Sequence, residues 1–241
     1  MRSPRAILSC LISILLVNAA SAAWVAETSE IPLSSLPGNS LIVGDKEFSD
    51  FHLDVTIVDG GAFLTDPDLM KVQGVRDVGT GDYGLRFNGF IWYVGTGQVI
   101  SVDLGFKVSI IDGYDDYLIK DIRMYLTGAG ATGTGVINAS ENVWDAFPGG
   151  DVIASLSCSK QFGDGGLYLS DYAEFDPVRE VYIQTKHVSL IGGTNGTAYF
   201  SEFFQFYSQV PEPATIVLFG TASLWVFARK KRRFSGGHRS K

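Results

Sequence analysis

Cysteine is nearly absent from this chain of 241 residues: Cys10 and Cys158 are the only two. Cys10 lies in an apolar leader, so Cys158 is left without an intramolecular partner and a disulfide framework is excluded. Cys158 reads instead as a small buried side chain. Histidine is almost as scarce, and His52 and His187 stand far apart in the body of the chain. There is no His-Glu-x-x-His, Gly-x-Ser-x-Gly or Cys-x-x-Cys, and so no motif for a zinc site, a nucleophile elbow or a thiol redox centre. A Ser-His-Asp set is spatial and leaves no such trace. No apolar run reaches the roughly 20 residues that a membrane-spanning helix usually needs. Positive charge is sparse in the middle. Two of the 19 Lys and Arg residues precede Ala23 and seven follow Ala228, while all but one of the 26 acids lie between residues 24 and 209. The central part therefore carries about −15 against −7 for the whole chain. That argues against nucleic acid or an anionic membrane as partner.

The two ends carry export signals. Arg2 and Arg5 precede an apolar stretch, Ala6–Val17, and Ala20-Ser21-Ala22 follows as a small-x-small cleavage site. Residues 1–22 read as a signal peptide, with the mature chain starting near Ala23 or Trp24. At the other end Val210-Pro211-Glu212-Pro213 precedes the apolar run Ala214–Ala228, and Arg229-Lys230-Lys231-Arg232-Arg233 closes it. Fifteen residues are short for a single transmembrane helix, but terminal Arg and Lys can snorkel and Trp225 and Phe227 suit an interface. The basic cluster and the tail 234–241 are expected to stay cytoplasmic. Each proline fixes φ and removes a backbone donor, and Pro213 biases Glu212 toward extended geometry.

Tetrapeptide, following Thr215, short span, basic cluster and leader together resemble the PEP-CTERM sorting signal of bacterial surface proteins, over about residues 209–233. The tail after Arg233 is longer than that pattern. The resemblance implies recognition by an exosortase, a membrane-embedded enzyme like a cysteine transpeptidase. It also implies removal of the anchor and delivery to the envelope surface or an extracellular polysaccharide matrix. Read physically, Pro-Glu-Pro is an extended stretch beside the membrane, with one negative charge at a defined depth.

Between the ends the pattern is β. Over residues 99–111 Val102, Leu104, Phe106, Val108 and Ile110 alternate with Ser101, Asp103, Gly105, Lys107 and Ser109, as a half-buried antiparallel strand requires. Further strands are expected at about 48–58, 71–78, 84–94, 118–127, 135–144, 151–159, 166–175, 179–190 and 197–208, separated by glycine and aspartate turns. Asp66–Met70 reads as a short turn. The expectation is one all-β domain over 23–208, an antiparallel β-sandwich of jelly-roll type. Glu27–Ser40 reads as a loose lead-in and Ser208–Pro213 as a linker.

No catalytic or cofactor-binding residue is assigned. Glu174, Asp176 and Glu180 are close in sequence and would serve glycoside hydrolysis only if they faced one another. Asp112, Asp115, Asp116 and Asp164 lie in glycine-bearing loops of the kind that supply oxygen ligands, so calcium is the one metal considered, without a defined site. Trp92, Tyr93, Tyr114, Tyr117, Trp144, Tyr168 and Tyr172 are candidates for stacking on sugars. Trp92 and Tyr93 are adjacent, so one faces the core and the other points outward. The reading is a non-enzymatic, exported protein with a structural or adhesive role, its partners an exosortase-like enzyme and extracellular polysaccharide. A carbohydrate-binding module is the alternative, and a glycoside hydrolase the next.

Overall fold

The computed structural model describes residues 23–62, 70–89, 92–146, 149–164 and 169–212. The leader, residues 213–241 and most of the turn expected at Asp66–Met70 lie outside them. The strands, in chain order, are β1 (Trp24–Ala26), β2 (Ile31–Pro32), β3 (Leu41–Val43), β4 (Lys46–Asp59), β5 (Lys71–Asp77), β6 (Tyr83–Asn88), β7 (Tyr93–Val94) and β8 (Val99–Ile110). They continue with β9 (Tyr117–Thr127), β10 (Gly130–Thr132), β11 (Val136–Trp144), β12 (Val152–Gln161), β13 (Leu169–Val178), β14 (Glu180–Ile191), β15 (Thr197–Tyr199) and β16 (Glu202–Pro211). One 3-10 turn, Leu33–Ser35, is the only helical element among the described residues. None there is long and apolar enough to cross a membrane.

Three antiparallel sheets result. The first runs β1-β5-β6-β16-β9-β13 with β2 beside β5, the second β12-β11-β14-β8-β4-β3, and a small third β10-β15-β7. The chain shuttles among them. Only Arg179 separates β13 from β14, yet these strands belong to different sheets.

Alternation decides which faces meet. Val102, Leu104, Phe106, Val108 and Ile110 are all buried. Phe106 of the second sheet lies 6.1 Å from Phe87 of the first, and Phe48 lies 5.9 Å from Tyr207. The two large sheets thus share one core, in which Cys158 is buried outside any disulfide. Such ring pairs contribute ~0.5–1.5 kcal/mol each beyond their buried area.

Two polar ties cross this core, and both end on β16. Gln205 donates to both carboxylate oxygens of buried Glu141 on β11, at 2.9 and 2.8 Å. Lys46 on β4 is fully buried and donates to Asp45 at 2.8 Å and to the side-chain oxygen of Gln209. Burial pushes the Lys46 ammonium below its ordinary value, against the pull of Asp45. Removing one partner of such a pair costs about 3–5 kcal/mol.

Three features depart from the sequence reading. The stretch 27–40 is anchored: β2 pairs with β5, and Leu33 and Leu36 are buried. Just before it, Trp24 packs on Phe204 at 5.6 Å, on the outer face of the first sheet. Segments 84–94 and 197–208 are each two strands in two sheets, β6 and β7 in the one and β15 and β16 in the other. Residues 208–211 are strand rather than linker, because β9 continues to Tyr117 and supplies partners as far as Pro211.

Candidate functional site: an aromatic cleft

Tyr93 and Tyr199 are cross-strand partners on β7 and β15. They are 56 % and 42 % exposed, whereas their neighbours Trp92 and Phe200 are buried. The buried pair stacks at 4.6 Å with an interplanar angle of 23°, and the Phe200 amide donates to the Trp92 carbonyl at 3.1 Å. Alternation in two very short segments therefore sends one aromatic pair into the core and holds the other at the surface. The Tyr199 ring also lies across Gly130, its register partner on β10, where any Cβ would collide with it. That glycine gives the ring a seat.

The tyrosines line a cleft of about 670 Å³ that also meets Glu30, Lys71, Asn88 and Glu202. Arg86 organises this polar side. Its Nη1 donates to Glu30 at 2.8 Å and to Gln73 at 2.9 Å, its Nε donates to Glu202 at 3.0 Å, and its guanidinium sits 4.7 Å from the Trp24 ring. Asn88 donates to Glu30 at 2.7 Å, and the Thr127 hydroxyl donates to Glu202 at 3.3 Å. The carboxylates are held in place by fixed partners. Aromatic faces beside carboxylate acceptors and an amide suit a ligand that is flat and apolar on one side and hydroxylated at its edge.

The remaining sequence candidates scatter. Tyr114 and Tyr117 sit together, ring centroids 6.4 Å apart, at the corner where β9 begins. Tyr172 lies on β13 with its hydroxyl bonded to Glu174 and, at 3.3 Å, to Asp121; the bond to Glu174 raises its pKa. Trp144 is half-buried at the end of β11, and Tyr168 lies outside the described residues. Glu174 is on β13, while Glu180, on β14, pairs with Lys107 at 2.9 Å, so the carboxylates diverge into different sheets. Asp115 pairs with Arg179 at 2.6 Å, and Asp164 accepts from the Gln161 amide at 2.8 Å. Among the described residues no three His, Cys, Asp or Glu side chains are placed to share a metal ion. Of the sorting-motif residues, Val210 and Pro211 end β16 and Glu212 follows; Pro213 and Arg229, Lys230, Lys231, Arg232 and Arg233 lie outside the described residues.

Sequence reasoning missed Tyr199, Arg86 and one further constellation. On the outer face of the second sheet the His187 Nδ1 is 2.8 Å from Asp103 and its Nε2 is 3.1 Å from the Ser101 hydroxyl. Ser101 and Asp103 share a face of β8, and His187 is the register partner of Asp103 on β14. The order matches a Ser-His-Asp relay, but Ser101 is 2 % exposed and lies within β8. Its neighbours pair with β4 and β14 on both sides, so their amides point along the ladders and form no oxyanion hole. The set reads as a cross-strand polar ladder.

Comparison with protein families matches residues 209–233 to the PEP-CTERM protein-sorting motif. The chain carries a PEP-CTERM sorting motif. This motif implies an exported protein sorted to the cell envelope and processed by an exosortase. No curated protein matches the sequence. Among solved structures, the enzymatically active domain of bacteriophage CBA120 tailspike protein 4 is similar at 17% identity over 66% of this chain and 19% of its own, with a TM-score of 0.26. A structure described as "CBM4 structure and function" aligns at 11% identity over 73% of this chain and 97% of its own, TM-score 0.23. An exo-beta-1,3-galactanase from Phanerochaete chrysosporium with galactose aligns at 10% identity over 77% and 29%, TM-score 0.20. This chain thus spans less than a third of the tailspike and galactanase chains, and scores this low assign no activity.

Proposed function

We propose that this is a non-enzymatic adhesive protein of the cell envelope or its polysaccharide matrix: a β-sandwich of jelly-roll type that holds glycan in the Tyr93–Tyr199 cleft. The observation carrying the reading is the exposed tyrosine pair, seated over Gly130 and faced by Glu30, Asn88 and Glu202. A pyranose has an apolar face that stacks on a phenol ring and an equator of hydroxyls that bonds to carboxylates and amides. The sorting motif supports the location, since it addresses the protein to an envelope where polysaccharide is at hand. The acid surplus of the central domain favours neutral over uronic-acid chains.

The test is co-sedimentation or calorimetry with the cell's own exopolysaccharide. Tyr93→Ala and Tyr199→Ala should each weaken binding about tenfold, corresponding to ~1.4 kcal/mol, while Tyr172→Ala leaves it unchanged. Equal binding by all three variants would remove the cleft from the account.

A further inference from the structure

The sorting motif begins inside the fold. The Ser208 amide donates to Asp121 at 3.3 Å, and its hydroxyl bonds to the same carboxylate. The Gln209 side chain accepts from buried Lys46. Val210 and Pro211 lie in register with Leu118 and Tyr117. The Glu212 amide then donates to the Asp116 carbonyl at 2.6 Å, and its carboxylate stands 3.5 Å from Arg179. Arg179 is itself fixed by Asp115, through the carboxylate at 2.6 Å and the carbonyl at 2.8 Å. The glutamate of the motif is therefore docked on a corner of the domain built from residues 115–117 and the single residue between β13 and β14.

The docked state leaves little room for an enzyme. The expected span starts at Ala214, so Glu212 stands within about 7 Å of it along an extended chain. A membrane-embedded enzyme that takes up an extended peptide needs free backbone and a free carboxylate. Here β9 occupies one edge of the strand and Arg179 faces the charge. Releasing Gln209–Glu212 adds about 13 Å of slack. We propose that the Arg179–Asp115–Asp116 corner is an intramolecular docking site for the sorting motif, that exosortase acts on the undocked state, and that Arg179 sets how often this state is reached. The inference rests on the sorting motif and is independent of glycan binding.

The experiment follows anchor removal by pulse-chase in membranes, with the full-length precursor co-expressed with its host's exosortase. Arg179→Ala should speed processing roughly two- to fivefold, the range that an exposed ion pair supports. Arg179→Lys, which keeps the charge, should return the rate toward the wild type. In isolated membranes the wild-type rate should rise with salt, and that of Arg179→Ala should not. The Arg179 carbonyl accepts from the Ile110 amide at 3.1 Å and persists in both variants, so the strand junction is retained. An unchanged or slower rate in Arg179→Ala overturns the proposal. So does a Lys variant as fast as the Ala one, because the effect would then come from packing. A wild-type precursor that is never processed overturns the proposal together with the sorting reading. Loss of glycan binding alone leaves it standing.

Discussion

A serine acts as a nucleophile only where substrate can reach it and hydrogen-bond donors await the developing oxyanion. Ser101 has the histidine and the aspartate but neither of these conditions. A fluorophosphonate probe should therefore leave Ser101 unlabelled in the folded protein. Ser101→Ala should lower unfolding stability by ~1 kcal/mol through the lost bond to His187, and should leave any ester turnover unchanged. Specific labelling read by mass spectrometry would reverse the non-enzymatic reading. Residues also mark where the sequence was legible. Tyr93 stood out because its neighbour Trp92 forces an inside–outside choice. Tyr199 did not, since it lies in a three-residue strand and its seat on Gly130 is a tertiary contact. Arg86 likewise gives no local sign of the two carboxylates it holds.

Among the elements, β16 bears the most. It pairs with β6 and β9, forms half of the two polar ties described across the core, begins at the cleft and ends in the sorting motif. Gln205→Leu takes two hydrogen bonds from a carboxylate that is 2 % exposed. Unfolding in urea should show a loss of roughly 3 kcal/mol, since hydrogen bonds to buried charges are costly to remove. Changing Glu141 to Leu as well should recover much of it, because no charge is then left buried without those donors. A double variant as unstable as the single one would mean that shape rather than charge is at stake. Long elements such as β8 were legible because five alternating apolar residues outvote any local accident. β1, β2 and β3 were not, because two or three residues carry no period; β1 and β2 are placed by Trp24 on Phe204 and by buried Leu33 and Leu36, and β3 by its pairing with β4 and by buried Val43. The end of β16 was read as linker for a related reason: Pro211 and Pro213 signal extended chain, and whether extended chain is strand depends on the partner that β9 supplies.

At the scale of the molecule, β16 fixes the relation between its two functional ends. Glu202 borders the cleft, and Pro211 lies nine residues on, about 30 Å away along a strand. If the span follows Pro213, the motif end rests against the membrane and the cleft stands at the far end of the domain, clear of it. Glycan binding then does not depend on anchor removal, although sorting does. Precursor reconstituted in vesicles and ectodomain released after processing should bind exopolysaccharide with affinities within about a factor of two, ~0.4 kcal/mol. Tyr93→Ala should weaken both forms alike, and Arg179→Ala should weaken neither. Much weaker binding by the anchored form would place the cleft against the bilayer. It would mean that the domain lies along the membrane rather than standing on its motif end, and that adhesion begins only once the anchor is cut.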